Sequence, residues 1–237
     1  MPKDNVSVFD ILGPVMIGPS SSHTAGVARI AFLARKMFAR KPDAAKVRFY
    51  GSLAATWRGH GSDRAAIAGL LGVPPEDERL GRGKELLEEA SATGEGFPIE
   101  LESVGDLPAT WHPNTVAVEL EGRGDDGKPR RLRLRAASIG GGAIRIEEID
   151  GYRVNLSGEL DALLVLHHDE IGVIAIVSHI LAANRINIAA TSSHRKEKGD
   201  EALLVVETDG ALPQAVVEQI EGLPPVYAVV RVPALGA

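Results

Sequence analysis

Residues 163–192, LLVLHHDEIGVIAIVSHILAANRINIAATS, decide the fold of the last third of the chain. The apolar run that opens this stretch predicts a buried strand, and the apolar residues at 172–183 predict a helix. Residues 186–192 predict a second strand. Downstream, the patterns predict a strand, a helix and a strand at residues 202–206, 212–220 and 226–232. The resulting order β-α-β-β-α-β, within about 75 residues, is the ferredoxin-like layout.

The preceding part of the chain mixes helices and strands without a regular alternation, which is typical of the α+β class. Apolar residues at helical spacing between Val27 and Met37 predict a helix directly behind a loop rich in Gly, Pro and Ser. Further helices are predicted at residues 65–71 and 84–90, and strands at residues 46–51, 97–101, 115–120, 131–136 and 144–149. We therefore predict an α+β protein of two domains, residues 1–157 and residues 158–237.

Net charge separates the same two parts. The 237 residues include 26 Lys and Arg and 32 Asp and Glu, which gives a net charge of −6. Residues 158–237 hold 5 basic and 11 acidic residues, so they carry the whole excess. An acidic chain argues against binding to nucleic acid or to a membrane surface. Without a signal-like segment or a run of about 18 apolar residues, we expect a cytoplasmic protein.

The sequence contains no cysteine. Disulfides, thiolate nucleophiles and an iron–sulfur cluster held by this chain alone are therefore excluded. We predict no metal ligands on this chain.

Residues 18–24, GPSSSHT, run directly into the first predicted helix. The start of a helix offers free N–H groups and the positive end of its dipole, which suit a carboxylate or a phosphate. His23 at this place would be pushed toward its neutral form, which accepts a proton. The alternative is that the serines only cap the helix and that His23 is a surface residue.

Three further segments contain candidate residues. His60 lies between two glycines in RGHGSD, where Ser62 or Asp63 would cap the next helix, and His112 lies in WHPNT just before a strand. The run Gly140, Gly141 and Gly142 between two strands offers either a backbone nest for an anion or a bulge. For both histidines, an ordinary turn is the alternative.

Taken in order, GPSSSHTAG, GHGSDRA, HPNT and SIGGG resemble the beta chain of bacterial iron–sulfur-dependent L-serine dehydratase (L-serine ammonia-lyase) over essentially the whole chain. The resemblance implies a serine dehydratase beta-chain domain at residues 1–157 and a ferredoxin-like ACT domain at residues 158–237. It also implies a subunit, inactive alone, of an enzyme that converts L-serine to pyruvate and ammonia. In that enzyme a separate, cysteine-bearing alpha chain holds a [4Fe-4S] cluster.

The resemblance also suggests roles for the loop residues. His23 or His60 would be the base at the α-carbon of serine, and His112 would relay a proton or orient a ligand. The carboxylate of the substrate would be held by residues of the same loops, namely Ser20, Ser21, Ser22, Thr24, Asn114, Gly140, Gly141 and Gly142.

The ACT-like part has a loop of its own, HHDEIG at residues 167–172, with Ile171 where the resembled domains usually have proline. The resemblance implies self-association through this domain and a site for an amino-acid effector, with L-serine expected. That site would be formed by His167, Asp169, Gly172 and Asn187. An ACT fold used only for dimerisation is the alternative.

A non-catalytic serine sensor is the competing hypothesis for the whole chain. Some phosphoglycerate dehydrogenases carry a similar α+β domain beside an ACT domain. This chain has no nicotinamide-binding domain and contains all three loop histidines, which favours the dehydratase subunit.

Overall fold

A computed structural model of the chain describes residues 20–124, 127–195 and 197–236, and the chain divides into two compact units after Ser157. Gly18 and Pro19 of the predicted loop lie outside the described residues. In the described part, no helix has both the length and the apolar character needed to cross a membrane.

The first unit contains helices and strands in mixed order. They are α1 (Ala25–Phe38), β1 (Ala44–Tyr50), α2 (Gly51–Thr56), α3 (Ser62–Leu70), a 3₁₀ helix (Glu78–Arg82), α4 (Gly83–Ala92), β2 (Ile99–Val104), β3 (Thr115–Arg123), β4 (Pro129–Gly140), β5 (Ala143–Ile149) and β6 (Tyr152–Leu156). The strands form one sheet in the order β2-β1-β3-β4-β5-β6, in which β1 and β2 run parallel and the other neighbours antiparallel.

The helix α1 covers this sheet and also packs against α3. Its apolar residues Val27, Ile30 and Ala34 are fully buried, so the helix predicted from their spacing is confirmed. Side chains of β1 alternate between buried and partly exposed, as expected for a strand with one face on a core. The loops that precede α1 and α3 are therefore carried by two helices that pack against each other.

The second unit contains β7 (Asp161–His168), α5 (Val173–Ala183), β8 (Ile188–Arg195), β9 (Glu201–Thr208), α6 (Gln214–Glu221) and β10 (Val226–Val232). Its antiparallel sheet has the order β10-β7-β9-β8, and the predicted ferredoxin-like fold is confirmed. Both helices contribute to one apolar core with β7 and β9. The strand β8 lies at the edge of the sheet, and most of its residues are exposed.

The structure differs from the local predictions at four places. The helix α2, the 3₁₀ helix and the strand β6 were not predicted, and the predicted cap of α3 is wrong. Gly61, with φ 73°, is the residue that precedes α3, and no side chain caps this helix. Glycine adopts this left-handed conformation without the strain that a side chain would cause.

Candidate functional site

The loop before α1 surrounds one nitrogen of His23 with hydroxyl groups. The Oγ atom of Ser20 lies 2.6 Å from His23 Nδ1, and that of Ser22 lies 3.2 Å from the same atom. The two hydroxyls are 3.1 Å apart. The N-cap residue Thr24 makes no side-chain cap, and in the described part of the chain the Ser20 and Ser22 hydroxyls contact His23, so the interpretation of these serines as helix caps is wrong. Their hydroxyls orient the imidazole instead.

Two other residues of this loop, Thr24 and Ser21, form hydrogen bonds within the loop and to the start of α1. Thr24 is fully buried, and its hydroxyl donates to the Ser20 carbonyl at 2.7 Å. This hydroxyl therefore stabilises the conformation of the loop. The contact does not support the prediction that Thr24 binds the substrate carboxylate. The Ser21 carbonyl accepts the Gly26 N–H at 3.2 Å, while the Ser21 side chain is half-buried.

His60 lies directly beside His23. The two ring centroids are 4.9 Å apart and the ring planes are nearly perpendicular, at 89°. Among the described residues, neither His23 Nε2 nor His60 Nδ1 has a hydrogen-bond partner, although both atoms are buried. Buried polar atoms are normally paired, so these two nitrogens are an exception within the described part of the chain.

The environment of His23 favours its neutral form. Burial, followed by the charge of the neighbouring His60, lowers the pKa of His23 below its usual 6.5. A neutral imidazole at pH 7 retains one nitrogen that accepts a proton, which is the property that a general base requires.

We expect the His23 ring to titrate below pH 6.5 in the folded chain, and His60→Ala to raise its pKa because the neighbouring charge is removed. Between 6.5 and the lowered pKa, the unfolded chain binds a proton that the folded chain does not. The contribution of His23 to stability is therefore lost as the pH falls through this window. A titration of the histidine ring signals by NMR measures both values. A His23 pKa of 6.5 or above would contradict this account.

The loop that carries His112 is joined to the start of α2. The Asn114 N–H donates to His112 Nδ1 at 3.1 Å, so in the neutral ring the proton lies on Nε2. The Ser52 hydroxyl donates to Asn114 Oδ1, and the Ser52 N–H donates to the Pro113 carbonyl at 2.9 Å. A side chain at Gly51 would lie 2.3 Å from that carbonyl, so this approach requires glycine. The short helix α2 therefore connects the His112 loop with the turn that carries His60.

The three glycines form the turn between β4 and β5. Gly140, Gly141 and Gly142 all have positive φ, at 100°, 60° and 82°, and the register shifts between Ser138 and Gly140. Arg29 of α1 donates to the Gly142 carbonyl at 3.3 Å. The glycine turn therefore lies beside α1, the helix that follows the His23 loop.

Ser138 is a further polar residue of this region, and it was not among the predicted site residues. Its side chain is fully buried, and in the described part of the chain its Oγ atom has no hydrogen-bond partner. A Cβ atom on Gly26 would lie 1.9 Å from this Oγ, so the first turn of α1 packs directly on it. In the sequence, the feature that could have indicated Ser138 is its position just before the three glycines.

Three of the four predicted effector residues lie together near the end of β7. His167 is buried and its Nδ1 atom donates to the His168 carbonyl at 2.6 Å. Asp169 accepts the Gly199 N–H at 3.0 Å and pairs with Arg195 at 3.3 Å. The Gly199 hydrogen bond and then the Arg195 contact outweigh burial and lower the pKa of Asp169. Asp169 and Gly172 line an open cavity of about 750 Å³.

The fourth effector residue, Asn187, lies at the other end of the same sheet. Its side chain donates to Asp209, and the next residue, Ile188, pairs with Thr208 of β9. His167 pairs with Ala202 at the opposite end of β9. Six residues of strand separate these ends by about 20 Å. The predicted effector residues therefore do not meet within one copy of the chain.

The residues of this chain do not fit an iron–sulfur cluster. The sequence has no cysteine, and the described residues include no group of three or more His, Asp or Glu arranged to hold a metal ion. Clusters of this type are held by thiolates.

The comparisons with known proteins cover both units. A family model described as serine dehydratase beta chain matches residues 7–149, and an ACT domain model matches residues 162–225. The probable L-serine dehydratase beta chain of Bacillus subtilis is 41% identical over 226 residues, which cover 95% of this chain and 97% of that protein. The L-serine dehydratase beta chain of Peptoniphilus asaccharolyticus is 32% identical over 217 residues, which cover 92% and 93%.

A different class of protein matches only part of the chain. The D-3-phosphoglycerate dehydrogenase of Bacillus subtilis is 35% identical over 85 residues, which cover 36% of this chain and 16% of that enzyme. The hypothesis of a free-standing sensor is not favoured by so short a match. Since the serine dehydratase beta chain model matches residues 7–149 and two relatives named as L-serine dehydratase beta chains match along nearly the full length, the chain belongs to the serine dehydratase beta chain family.

Proposed function

We propose that this chain is the beta subunit of a two-chain L-serine dehydratase, a lyase that converts L-serine to pyruvate and ammonia. The observation that carries the proposal is the His23–His60 pair, in which two buried ring nitrogens have no partner among the described residues and His23 is held neutral. Relatives named as L-serine dehydratase beta chains along nearly the full length support it. Residues 1–157 would form the substrate-binding domain.

In this proposal the chain supplies the base and the carboxylate site. His23 takes the proton from the α-carbon, with His60 as the second candidate, and His112 relays a proton. The substrate carboxylate would be held by hydroxyl and amide groups of the loops around His23, namely Ser20, Ser21, Ser22, Asn114 and the turn at Gly140, Gly141 and Gly142. The proton from the α-carbon and the β-hydroxyl, which the cluster of the alpha chain would polarise as a Lewis acid, leave together as one water and give aminoacrylate. Aminoacrylate then takes up one water and yields pyruvate and ammonia.

The proposal requires a second chain. Because this chain has no cysteine, the [4Fe-4S] cluster that the family resemblance implies would be held by a cysteine-bearing alpha chain. The words "beta chain" in the names of the relatives agree with such a partner.

The test is an assay of the purified chain with and without a candidate alpha chain, prepared without oxygen. We expect the chain alone to be colourless and to form no pyruvate from L-serine, because it has no thiolates to hold a cluster. Addition of the alpha chain should give pyruvate formation. Pyruvate formed by this chain alone would overturn the two-chain proposal.

We also propose that residues 158–237 act as a regulatory domain that self-associates and binds an amino acid, with L-serine as the first candidate. The ammonium group would face Asp169 of one copy or Asn187 of a second, and the carboxylate would face the helix start behind Gly172. The separation of these residues within one copy and the exposed edge strand β8 support a site that two copies share.

A further inference from the structure

Ser62, the first residue of α3, contacts a loop that is distant in the sequence. Its side chain is fully buried, and its hydroxyl donates to the His23 carbonyl at 2.5 Å. This hydroxyl does not cap its own helix, because Gly61 precedes α3 and no side-chain cap is formed. The contact therefore serves the loop of His23 rather than the helix in which Ser62 lies.

The helix start that carries Ser62 is firmly held. The neighbouring Asp63 is buried and pairs with Lys84 of α4, with 2.7 Å between Oδ2 and Nζ. A Cβ atom on Gly83 would lie 2.1 Å from the Arg64 carbonyl, so the starts of α3 and α4 are in direct contact. Ser62 is thus a fixed point to which the His23 loop is attached.

We propose that Ser62 is a positioning residue for the dehydratase reaction, which fixes the His23 loop against the turn that carries His60. The inference rests on the proposed function of the two histidines. Ser62 follows His60 by two residues, so one hydrogen bond sets the separation of the loops and the edge-on contact of the rings at 4.9 Å. A catalytic group displaced by about 1 Å can lose about 10²-fold in rate.

The test compares Ser62→Ala with Thr208→Val in the complex with the alpha chain. Thr208 is a buried residue of the second unit, and its hydroxyl donates to the Gly210 carbonyl at 2.9 Å. Its replacement by valine therefore also removes a buried hydrogen bond from a hydroxyl to a carbonyl, at a position distant from Ser62 in the sequence. We expect Ser62→Ala to lower kcat by about 10- to 100-fold. The KM for L-serine should rise as well, because the proposed carboxylate site includes Ser20, Ser21 and Ser22 of the same loop. Thr208→Val should leave kcat within about twofold.

A second readout uses the chain without its partner. Burial and the proximity of His60 lower the pKa of His23, and both weaken when the loop is released. Ser62→Ala should therefore move the His23 titration toward 6.5 in NMR spectra, whereas Thr208→Val should not. Should Ser62→Ala fail to fold, Ser62→Cys, which keeps the size of the side chain but donates weakly, carries the same expectations.

The outcomes separate this inference from the function on which it rests. If kcat and the His23 pKa are unchanged in the folded Ser62 variant, or if Thr208→Val lowers kcat equally, Ser62 is only a folding contact. If instead the alanine variants of both His23 and His60 retain full activity, the proposed role of the histidine pair fails, whatever Ser62 does.

Discussion

Replacement of His23 by alanine in the complex with the alpha chain is expected to lower kcat for L-serine by roughly 10²- to 10⁴-fold. The physical reason is that alanine removes an imidazole whose lowered pKa favours the neutral form at pH 7, together with its buried Nε2 atom, which has no hydrogen-bond partner among the described residues. His60→Ala is expected to lower kcat within the same range, because His60 offers the other buried nitrogen of the pair.

The matched control is His179→Ala, since His179 is an exposed residue of α5 in the second unit. Steady-state measurement of pyruvate formation over a pH series checks the prediction. For the unaltered complex the acidic limb of kcat/KM should lie below pH 6.5, where His23 becomes protonated. Changes of less than about threefold in both histidine variants would make these residues ordinary turn histidines.

Replacement of Asp161 by alanine is expected to lower the free energy of unfolding of the second unit by about 3 kcal/mol. This buried carboxylate accepts the N–H groups of Leu212 and Ala234 at 3.0 and 2.7 Å, and it pairs with Arg231 at 2.7 Å. Its removal leaves these donors without their acceptor at the place where the first strand, the second helix and the C-terminal segment meet.

The pH dependence of stability provides a second check on Asp161. Burial alone would raise the pKa of this carboxyl, but the hydrogen bonds from Ala234, Leu212 and Arg231 together lower it below its usual 3.8. A lowered pKa contributes stability above 3.8 that is lost as the pH falls through the folded value. In chemical denaturation, Asp161→Ala should abolish this pH-dependent contribution to the free energy of unfolding. Glu218→Gln, at an exposed position, should change the free energy of unfolding little. If Asp161→Ala changes the free energy of unfolding no more than Glu218→Gln does, the prediction is contradicted.

The fold was accessible from the sequence where periodicity extends over enough residues. The helix α1 and the strand β10 were predicted because their apolar residues repeat along one face, and β10 has the predicted bounds, Val226–Val232. The helix α2 has only six residues, too few to display a helical period. The strand β6 is short and, among the described strands, pairs with β5 alone at the edge of the sheet.

The candidate site was accessible only in part. The motifs selected the loops of His23, His60 and His112, because serines, glycines and prolines mark loops locally. The motifs did not show that His23 and His60 are neighbours, since their contact depends on how α1 packs against α3. For the same reason Ser62 was assigned to a local cap, although its partner lies 39 positions away in the chain.

If residues 158–237 form the proposed regulatory domain, the positions of Asp169 and Asn187 at opposite ends of the second sheet have a consequence for control of the enzyme. A ligand that contacts both groups must bind to two chains at once, so its apparent affinity would rise with the concentration of the protein. A cell with few copies of this subunit would then respond weakly to the amino acid, and a cell with many copies would respond strongly. Such a domain would report how much enzyme is present as well as how much ligand.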